Sequence, residues 1–506
     1  MTDHYLNRNS ASIPQSVWSA DWLRKAEARA AAASGVTLYE LMQRAGEAAF
    51  AVARSAFPAS HHWLVLCGHG NNGGDGYVVA HCAQAAGIQV TVLAVESAKP
   101  LPDEAQAARS AWLAAGGHIS PLTSAWPQKV DLIVDGLLGT GIRQAPRENL
   151  AVVIDQINQH PAPVLALDVP SGLNANTGTT PGAVVSANHT VTFIALKTGL
   201  LTGKARDVVG QLHYHALGLE GWLAEQDAPV KRFDQGDLKR WLHPRKATSH
   251  KGNHGRLVVI GGDTGTAGAI RMAGEAALRA GAGLVRVLTR PENAPALLTA
   301  RPELMVQALT PESLDESLRW ADVVVIGPGL GQQAWGRDAL ERVKHSAKPM
   351  LWDADALNLL AINPITGDNR VMTPHPGEAA RLLGCSVAEI ESDRLLSARR
   401  LVEQYGGCVV LKGAGTVITT ATHQAIIDVG NPGMASGGMG DVLSGIIGAL
   451  LAQHLPLFDA ACAGCVAHGA AADSLAARYG TRGMLAMDLL SALYSFVNPE
   501  IELMKS

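Results

Sequence analysis

Short apolar runs, each ending in a loop of glycine, aspartate or small polar residues, recur through most of this 506-residue chain. Residues 63–67 run into Gly68-His69-Gly70-Asn71-Asn72-Gly73-Gly74-Asp75-Gly76, residues 130–134 into Asp135, and residues 164–167 into Asp168-Val169-Pro170-Ser171-Gly172. A run that is apolar throughout, not alternating, predicts a strand covered on both faces. Helical stretches separate the runs, as in a parallel sheet with helices on both sides. In such a sheet the polar loops gather at the carboxyl edge, where ligands bind. The fold class is therefore α/β, and 506 residues exceed one ordinary core. A polar, proline-scattered interval at 225–246 reads as a linker, giving domains 1–225 and 247–506, each of three layers.

Composition excludes several classes. The net charge is −4 with both signs mixed, so no nucleic-acid or membrane-binding surface is expected. Residues 1–15 are polar, without the apolar centre of a signal peptide, and no run is long enough to span a bilayer. The expectation is a cytoplasmic protein. Six cysteines sit mostly in apolar runs and read as reduced, buried thiols. Cys462-x-x-Cys465 with His468 could form half a zinc site, but no second pair exists and the Ala-rich context is helical, so packing is the preferred reading.

The most specific stretch is Asn431-Pro432-Gly433-Met434-Ala435-Ser436-Gly437-Gly438-Met439-Gly440-Asp441-Val442-Leu443-Ser444-Gly445. Val442, Leu443, Ile446, Ile447, Leu450 and Leu451 recur at helical spacing, so a loop passes into a helix. Glycines before a helix N-terminus leave backbone N–H groups free to face an anion. A carboxylate there repels phosphate, so Asp441 needs a reason: it is a general base for an attacking hydroxyl, or simply a helix cap.

In the first half, Asn72, Asp135, Asp168 and Ser171 follow strands and can converge. Asp135 and Asp168 suit a hard cation such as K⁺ or Mg²⁺, or else cap their turns. Residues 68–76 read as a phosphate-cradling loop before a helix over 77–86, although the spacing is not G-x-G-x-x-G. In the second half, Lys412-Gly413-Ala414-Gly415-Thr416 suits nucleotide phosphates or a plain hairpin turn, and His375 between two prolines could donate to a substrate or cap a helix. A carboxylate, an anion hole and a nucleotide loop together indicate phosphoryl transfer.

At this point the residues resemble known families. GGDTGTAGA (261–269), GPGLG (327–331), TPHPGE (373–378), KGAGT (412–416) and NPGMASGGMGDVLSG resemble the ribokinase-like family that contains ADP- or ATP-dependent NAD(P)H-hydrate dehydratases. NNGGDG (71–76), DGLLGTG (135–141) and DVPSGL (168–173) resemble the Rossmann-like NAD(P)H-hydrate epimerases. Where some dehydratases carry a Tyr before Thr-Gly-Ala, this chain has Asp263-Thr264-Gly265-Thr266. The resemblance implies that the first half interconverts the R and S hydrates of NADH and NADPH. K⁺ would be held around Asn72, Asp135 and Ser171. Asn71, Asn72, Gly73, Gly74, Asp75, Gly139, Thr140, Gly141, Ile142, Arg143, Gln144, Ala145 and Asp168 would contact the hydrate, with Asp168 the catalytic candidate. The second half would dehydrate the S form with ADP and Mg²⁺, releasing AMP and phosphate. Lys412, Gly413, Ala414, Gly415, Thr416 and Gly440 would bind the nucleotide, and Ala269, Gly329, His375 and Asp441 would face the hydrate. The implied partners are NADH hydrate, NADPH hydrate and ADP, in a homo-oligomer. Two rivals stand beside this reading: a ribokinase-like small-molecule kinase with a regulatory first half, and a nucleotide-sensing protein without turnover. Inorganic phosphate release separates the first, and Asp441 argues against the second.

Overall fold

A computed structural model of the chain describes residues 13–499. The polar opening read over residues 1–15 falls mostly outside them. The chain divides into two compact units, Met1–Lys231 and Arg232–Ser506.

The first unit holds a seven-stranded sheet in the order Ile119–Pro121, Gln89–Ala94, His62–Cys67, Leu132–Gly136, Val164–Leu167, His189–Phe193, Gln211–His215, with every neighbouring pair parallel. Both faces are covered, as the continuous apolar runs require. Trp63, Val65 and Cys67 pack with the helices Ala20–Ala33, Leu38–Ala56 and Asn71–Ala85. Leu64 and Leu66 point the other way, onto Val153, Ile154 and Ile157 of the helix Glu148–Gln159. Sequence order turns back at His62–Cys67, so a crevice opens between its loop and the one after Leu132–Gly136, the usual ligand position in such a sheet.

One expectation is corrected here. The glycine-rich text after residue 67 is not an extended cradle, because the helix begins at Asn71, not at Tyr77. A Cβ on Gly73 would lie 2.1 Å from Gly68 O, one on Gly74 2.6 Å from Met42 Cε, and one on Gly76 2.9 Å from Cys67 Sγ. These glycines let a helix press onto its own strand and neighbours. Upstream lie the strand Ser16–Trp18 and a helix capped by Ser19, with Asp21 inside its first turn.

The second unit orders Met305–Ala308, Leu284–Thr289, Arg256–Ile260, Val323–Ile326, Met350–Trp352, Arg370–Met372 and Cys408–Leu411 in parallel, then adds Val417–Thr419 and Gln424–Ile427 antiparallel. Its crevice lies between the loops after Arg256–Ile260 and Val323–Ile326. The helices Ala267–Arg279 and Met439–Ala452 approach so closely that a Cβ on Gly445 would lie 2.1 Å from Ala273 O. Cys462, Cys465 and His468 lie buried along the helix Leu457–Tyr479. No group of three or more metal-ligating side chains exists among the described residues. No helix among them is long and apolar enough to cross a membrane.

The interval read as a free linker is ordered. It contains the strand Val230–Phe233 and the 3-10 turn Gln235–Arg240 with Asp237 and Leu238 buried, and Trp241 Nε1 donates to Asp459 Oδ1 at 3.2 Å. Arg232 Nε donates to Asp428 Oδ2 at 2.6 Å, and both side chains are 3% exposed. Removing one partner of a buried ion pair costs about 3–5 kcal/mol, because the other charge stays desolvated. A fragment beginning at residue 247 should therefore melt on the order of 10 °C below one beginning at residue 232. Equal midpoints by calorimetry would contradict the role given to this segment.

Candidate functional site

In the first unit, Asp135 lies in the central strand Leu132–Gly136, opposite Leu66 and Ala166. Its carboxylate is fully buried and accepts from Ser171 Oγ at 2.6 Å, Ser171 N at 2.8 Å and Leu137 N at 3.2 Å. Burial pushes it up to about 6, against the Ser171 and Leu137 hydrogen bonds. Asn72, on the first turn of the helix Asn71–Ala85, donates through Nδ2 to Leu138 O at 2.9 Å. Its Oδ1 is buried with no hydrogen-bond partner. Ser171 Oγ also meets the 138 peptide, accepting from Leu138 N at 2.8 Å. Ser171 thus joins Asp135 to residue 138, which Asn72 also holds, and the Asn72 amide oxygen is left without a partner.

Asp168, which follows Val164–Leu167, does not join them. It sits at φ 60°, in the left-handed region, and its carboxylate accepts from Lys197 Nζ, Thr192 Oγ1 at 3.1 Å and Phe193 N at 3.2 Å. Lys197 is 1% exposed and also donates to Thr192 Oγ1 at 2.9 Å and Phe193 O at 2.8 Å. An ammonium therefore holds the place beside Asp168 that a metal cation was expected to take. Asp75 is buried nearby and is pushed well up by burial and by the charges of Asp168 and Glu27, with Lys197 opposing. Glu27 is likewise raised by burial and by Asp168. Three carboxylates thus face a single ammonium. Sequence reading missed Lys197 and Glu27. A lysine inside the apolar stretch Phe193-Ile194-Ala195-Leu196-Lys197 was the available signal, since a buried ammonium requires a carboxylate.

Of the other first-half residues, Asn71 is exposed, whereas Gly73 and Gly74 are buried. Gly139, Thr140 and Ile142 are half-buried, and Gly141, Arg143, Gln144 and Ala145 are exposed. This loop reaches Asn72, because a Cβ on Gly139 would lie 3.3 Å from Asn72 Cβ. Arg143 is held by Asp21.

In the second unit, Gly438 is the N-cap of the helix Met439–Ala452 at φ 88°, without a side-chain cap. Asp441 is the third helical residue, so the capping alternative is set aside. Burial and the charge of Asp353 push Asp441 up to about 7, against Lys412. Lys412 Nζ lies 3.0 Å from Asp353 Oδ1 and 3.9 Å from Glu378 Oε2. Burial works against its charge, but those two carboxylates hold it above the usual lysine range. A Cβ on Gly440 would lie 3.3 Å from Lys412 Nζ, so lysine and helix N-terminus present positive charge to the same place.

His375 caps the helix Pro376–Leu383, with Nδ1 accepting from Gly377 N at 3.0 Å, and Glu378 Oε2 accepts from His375 N at 2.8 Å. The imidazole is still half-exposed and kept below its ordinary range by burial and by Lys412 and Arg381, and its Nε2 lies 3.5 Å from Glu378 Oε1. Gly329 Cβ would meet Thr266 at 2.7 Å, and Thr266 caps the helix that carries Ala269. Met272, one turn after Ala269, touches the position of Gly438. Gly413, Ala414, Gly415 and Thr416 form the hairpin turn of the plainer reading, with Thr416 Oγ1 donating to Gly413 O at 3.1 Å. Arg394, 1% exposed, supports that turn by donating to Leu411 O and Lys412 O at 3.1 Å each. Asp353, Thr373, Glu378, Ser444 and Arg394 carried no role in the sequence reading.

Known proteins agree with this division of the chain. Residues 38–199 match the family described as the YjeF-related protein N-terminus, and residues 257–495 match the NAD(P)H-hydrate dehydratase family. The chain is 70% identical over 99% of its length to the bifunctional NAD(P)H-hydrate repair enzyme of Escherichia coli strain K12, of which it covers 98%. It is 49% identical to that of Leishmania braziliensis over 96% of this chain and 94% of the relative. A ribokinase-like superfamily protein of Enterococcus faecalis V583 superposes with TM-score 0.51 at 31% identity, covering 54% of this chain and 97% of its own. The chain belongs to the bifunctional NAD(P)H-hydrate repair enzymes, with an α/β epimerase-type half and a ribokinase-like dehydratase half.

Proposed function

We propose that the two sites act in sequence on hydrated NADH and NADPH, the first equilibrating the R and S hydrates and the second consuming the S form with ADP. The observation that carries the second step is Asp441, a carboxylate poised near neutrality beside Lys412 and a helix N-terminus. Asp441 takes the proton of the hydrate's hydroxyl as its oxygen attacks the terminal phosphorus of ADP. AMP leaves, and the new C–O–P ester then eliminates inorganic phosphate with loss of a ring proton, which restores the dihydropyridine double bond. Lys412 and the backbone N–H groups at the start of the helix hold the phosphoryl oxygens, while Gly413 to Thr416 and Gly440 leave room for the nucleotide. Ala269, Gly329 and His375 line the hydrate's side. Mg²⁺ bound to the nucleotide would supply charge neutralisation at the phosphates, with phosphate oxygens and water as its ligands.

In the first half, Asp168 handles the proton at the hydrated carbon, and Lys197 keeps it oriented. Asn71, Asn72, Gly73, Gly74, Asp75 and residues 139–145 would contact the hydrate. The unpartnered Asn72 Oδ1 beside Asp135 and Ser171 is the kind of oxygen a K⁺ ion takes, so these three residues would hold that ion, which supplies a fixed positive charge beside the substrate.

Asp441→Asn tests the dehydratase step. Dehydration should fall by about 10²–10⁴ with nucleotide binding nearly intact, and near wild-type turnover would end the assignment. Stability gives an independent sign. A folded-state value near 7 lies above the unfolded Asp value, so the native state keeps a proton that the unfolded chain releases, and wild-type stability drops as pH rises through about 7. The Asn variant should therefore gain melting temperature over wild type at pH 8.5, and less at pH 5.5.

The epimerase step is tested with two variants. Asp168→Asn suits the left-handed backbone, which Asn tolerates, and should slow epimerisation by about 10²–10⁴ at every K⁺ concentration. Asn72→Ala should raise the half-saturating K⁺ concentration and recover at high K⁺. Equal wild-type rates in K⁺ and in tetramethylammonium would remove the ion site.

A further inference from the structure

Asp353 has no part in the chemistry assigned above, yet it is the hub of the second site. It follows the strand Met350–Trp352 and is 2% exposed. Its Oδ1 accepts from Thr373 Oγ1 at 2.8 Å and Lys412 Nζ at 3.0 Å, and its Oδ2 accepts from Ser444 Oγ at 2.8 Å. Ser444 lies one turn after Asp441 on the same helix. A Cβ on Gly440 would lie 3.6 Å from Asp353 Oδ2 and 3.3 Å from Lys412 Nζ, so the ion pair sits directly against the first helical turn. One buried carboxylate thus ties the lysine, the helix that carries the base, and the loop at residue 373 together.

We propose that Asp353 is a positioning residue of the dehydratase site, clamping the Lys412 ammonium against the N-terminus of the helix Met439–Ala452 and standing beside Asp441 as a fixed like charge. The proposal rests on the dehydratase reading of that half. A lysine reaches its target on a flexible four-carbon stem, and a buried partner fixes where the charge lies before the nucleotide arrives. The same carboxylate opposes ionisation of Asp441, which poises that group as a base near neutral pH. The charged groups facing this pair are limited. Glu378 and His375 face Lys412 from the helix Pro376–Leu383, with Arg381 behind His375, and His468 faces Lys412 from the helix Leu457–Tyr479. Asp441 itself responds to Asp353 and Lys412.

The test uses the full chain as Asp353→Asn and Ser444→Ala. Asn keeps the side chain's shape and one acceptor oxygen but removes the charge. The acid limb of kcat/KM against pH should move down by about one unit in Asp353→Asn, because a like charge beside Asp441 is gone. Its affinity for ADP, measured by calorimetry, should fall about tenfold, roughly 1.4 kcal/mol, because Lys412 loses its anchor. In Ser444→Ala, kcat should fall severalfold with the acid limb unmoved. An Asp353→Asn enzyme with the wild-type acid limb and wild-type ADP affinity would overturn the proposal. If Asp353→Asn does not fold, Ser444→Ala and Thr373→Val each remove one tie to the carboxylate, and unchanged kcat and ADP affinity in both would overturn it. Absence of dehydration by wild type would instead remove the dehydratase reading, and the ADP titrations would still decide the clamp.

Discussion

A charge that leaves water needs a partner, and both sites of this chain are built on that constraint. The central strands of each sheet are covered on both faces, and at the carboxyl edge of each sheet a carboxylate is matched by a lysine. The first unit matches Asp168 with Lys197, and the second matches Asp353 with Lys412. In each case the lysine is held by a carboxylate from the loop after a parallel strand, and further carboxylates crowd the same ammonium. Burial, with that excess of negative charge behind it, raises Asp75 and Asp441, the latter to about 7.

The glycines serve this arrangement in two ways. Some permit close approach, as where the helix Asn71–Ala85 rests on its strand or where Gly445 meets Ala273 O. Gly438 at φ 88° starts the helix that presents Asp441, and Gly440 leaves its turn open over Lys412. Any side chain at residue 440 would stand where the positive charge meets its anion.

Much of this was legible in the sequence, for a physical reason. Strands buried on both faces leave uninterrupted apolar runs, so Val164–Leu167 was readable to the residue and His62–Cys67 to within one. Glycine and aspartate follow those runs directly, which singled out Asn72, Asp135, Asp168, Lys412 and Asp441 as candidates. Partnerships were not legible, because they join distant segments. Lys197 lies 29 positions from Asp168, and Lys412 lies 59 from Asp353. The helix start at Asn71 was misread because glycine signals a loop by its local propensity, whereas here tertiary packing selects it. The segment after residue 225 looked like a linker because its polarity hides one buried pair, Arg232 with Asp428. Of the two readings of His375, the structure shows the cap, through Nδ1, with Nε2 lying 3.5 Å from Glu378 Oε1.

The central claim is that one chain equilibrates two epimers and then removes one of them by a transient phosphorylation. A chromatographic time course of separated R and S hydrates of NADH, with the intact protein and with AMP and inorganic phosphate measured in parallel, tests it most directly. Without nucleotide, either pure epimer should relax to the same mixture. With ADP and Mg²⁺, both should disappear, with one AMP, one phosphate and one NADH formed per hydrate consumed. A phosphorylated product that retains its phosphate, or an R hydrate that persists once the S hydrate is gone, would contradict the account.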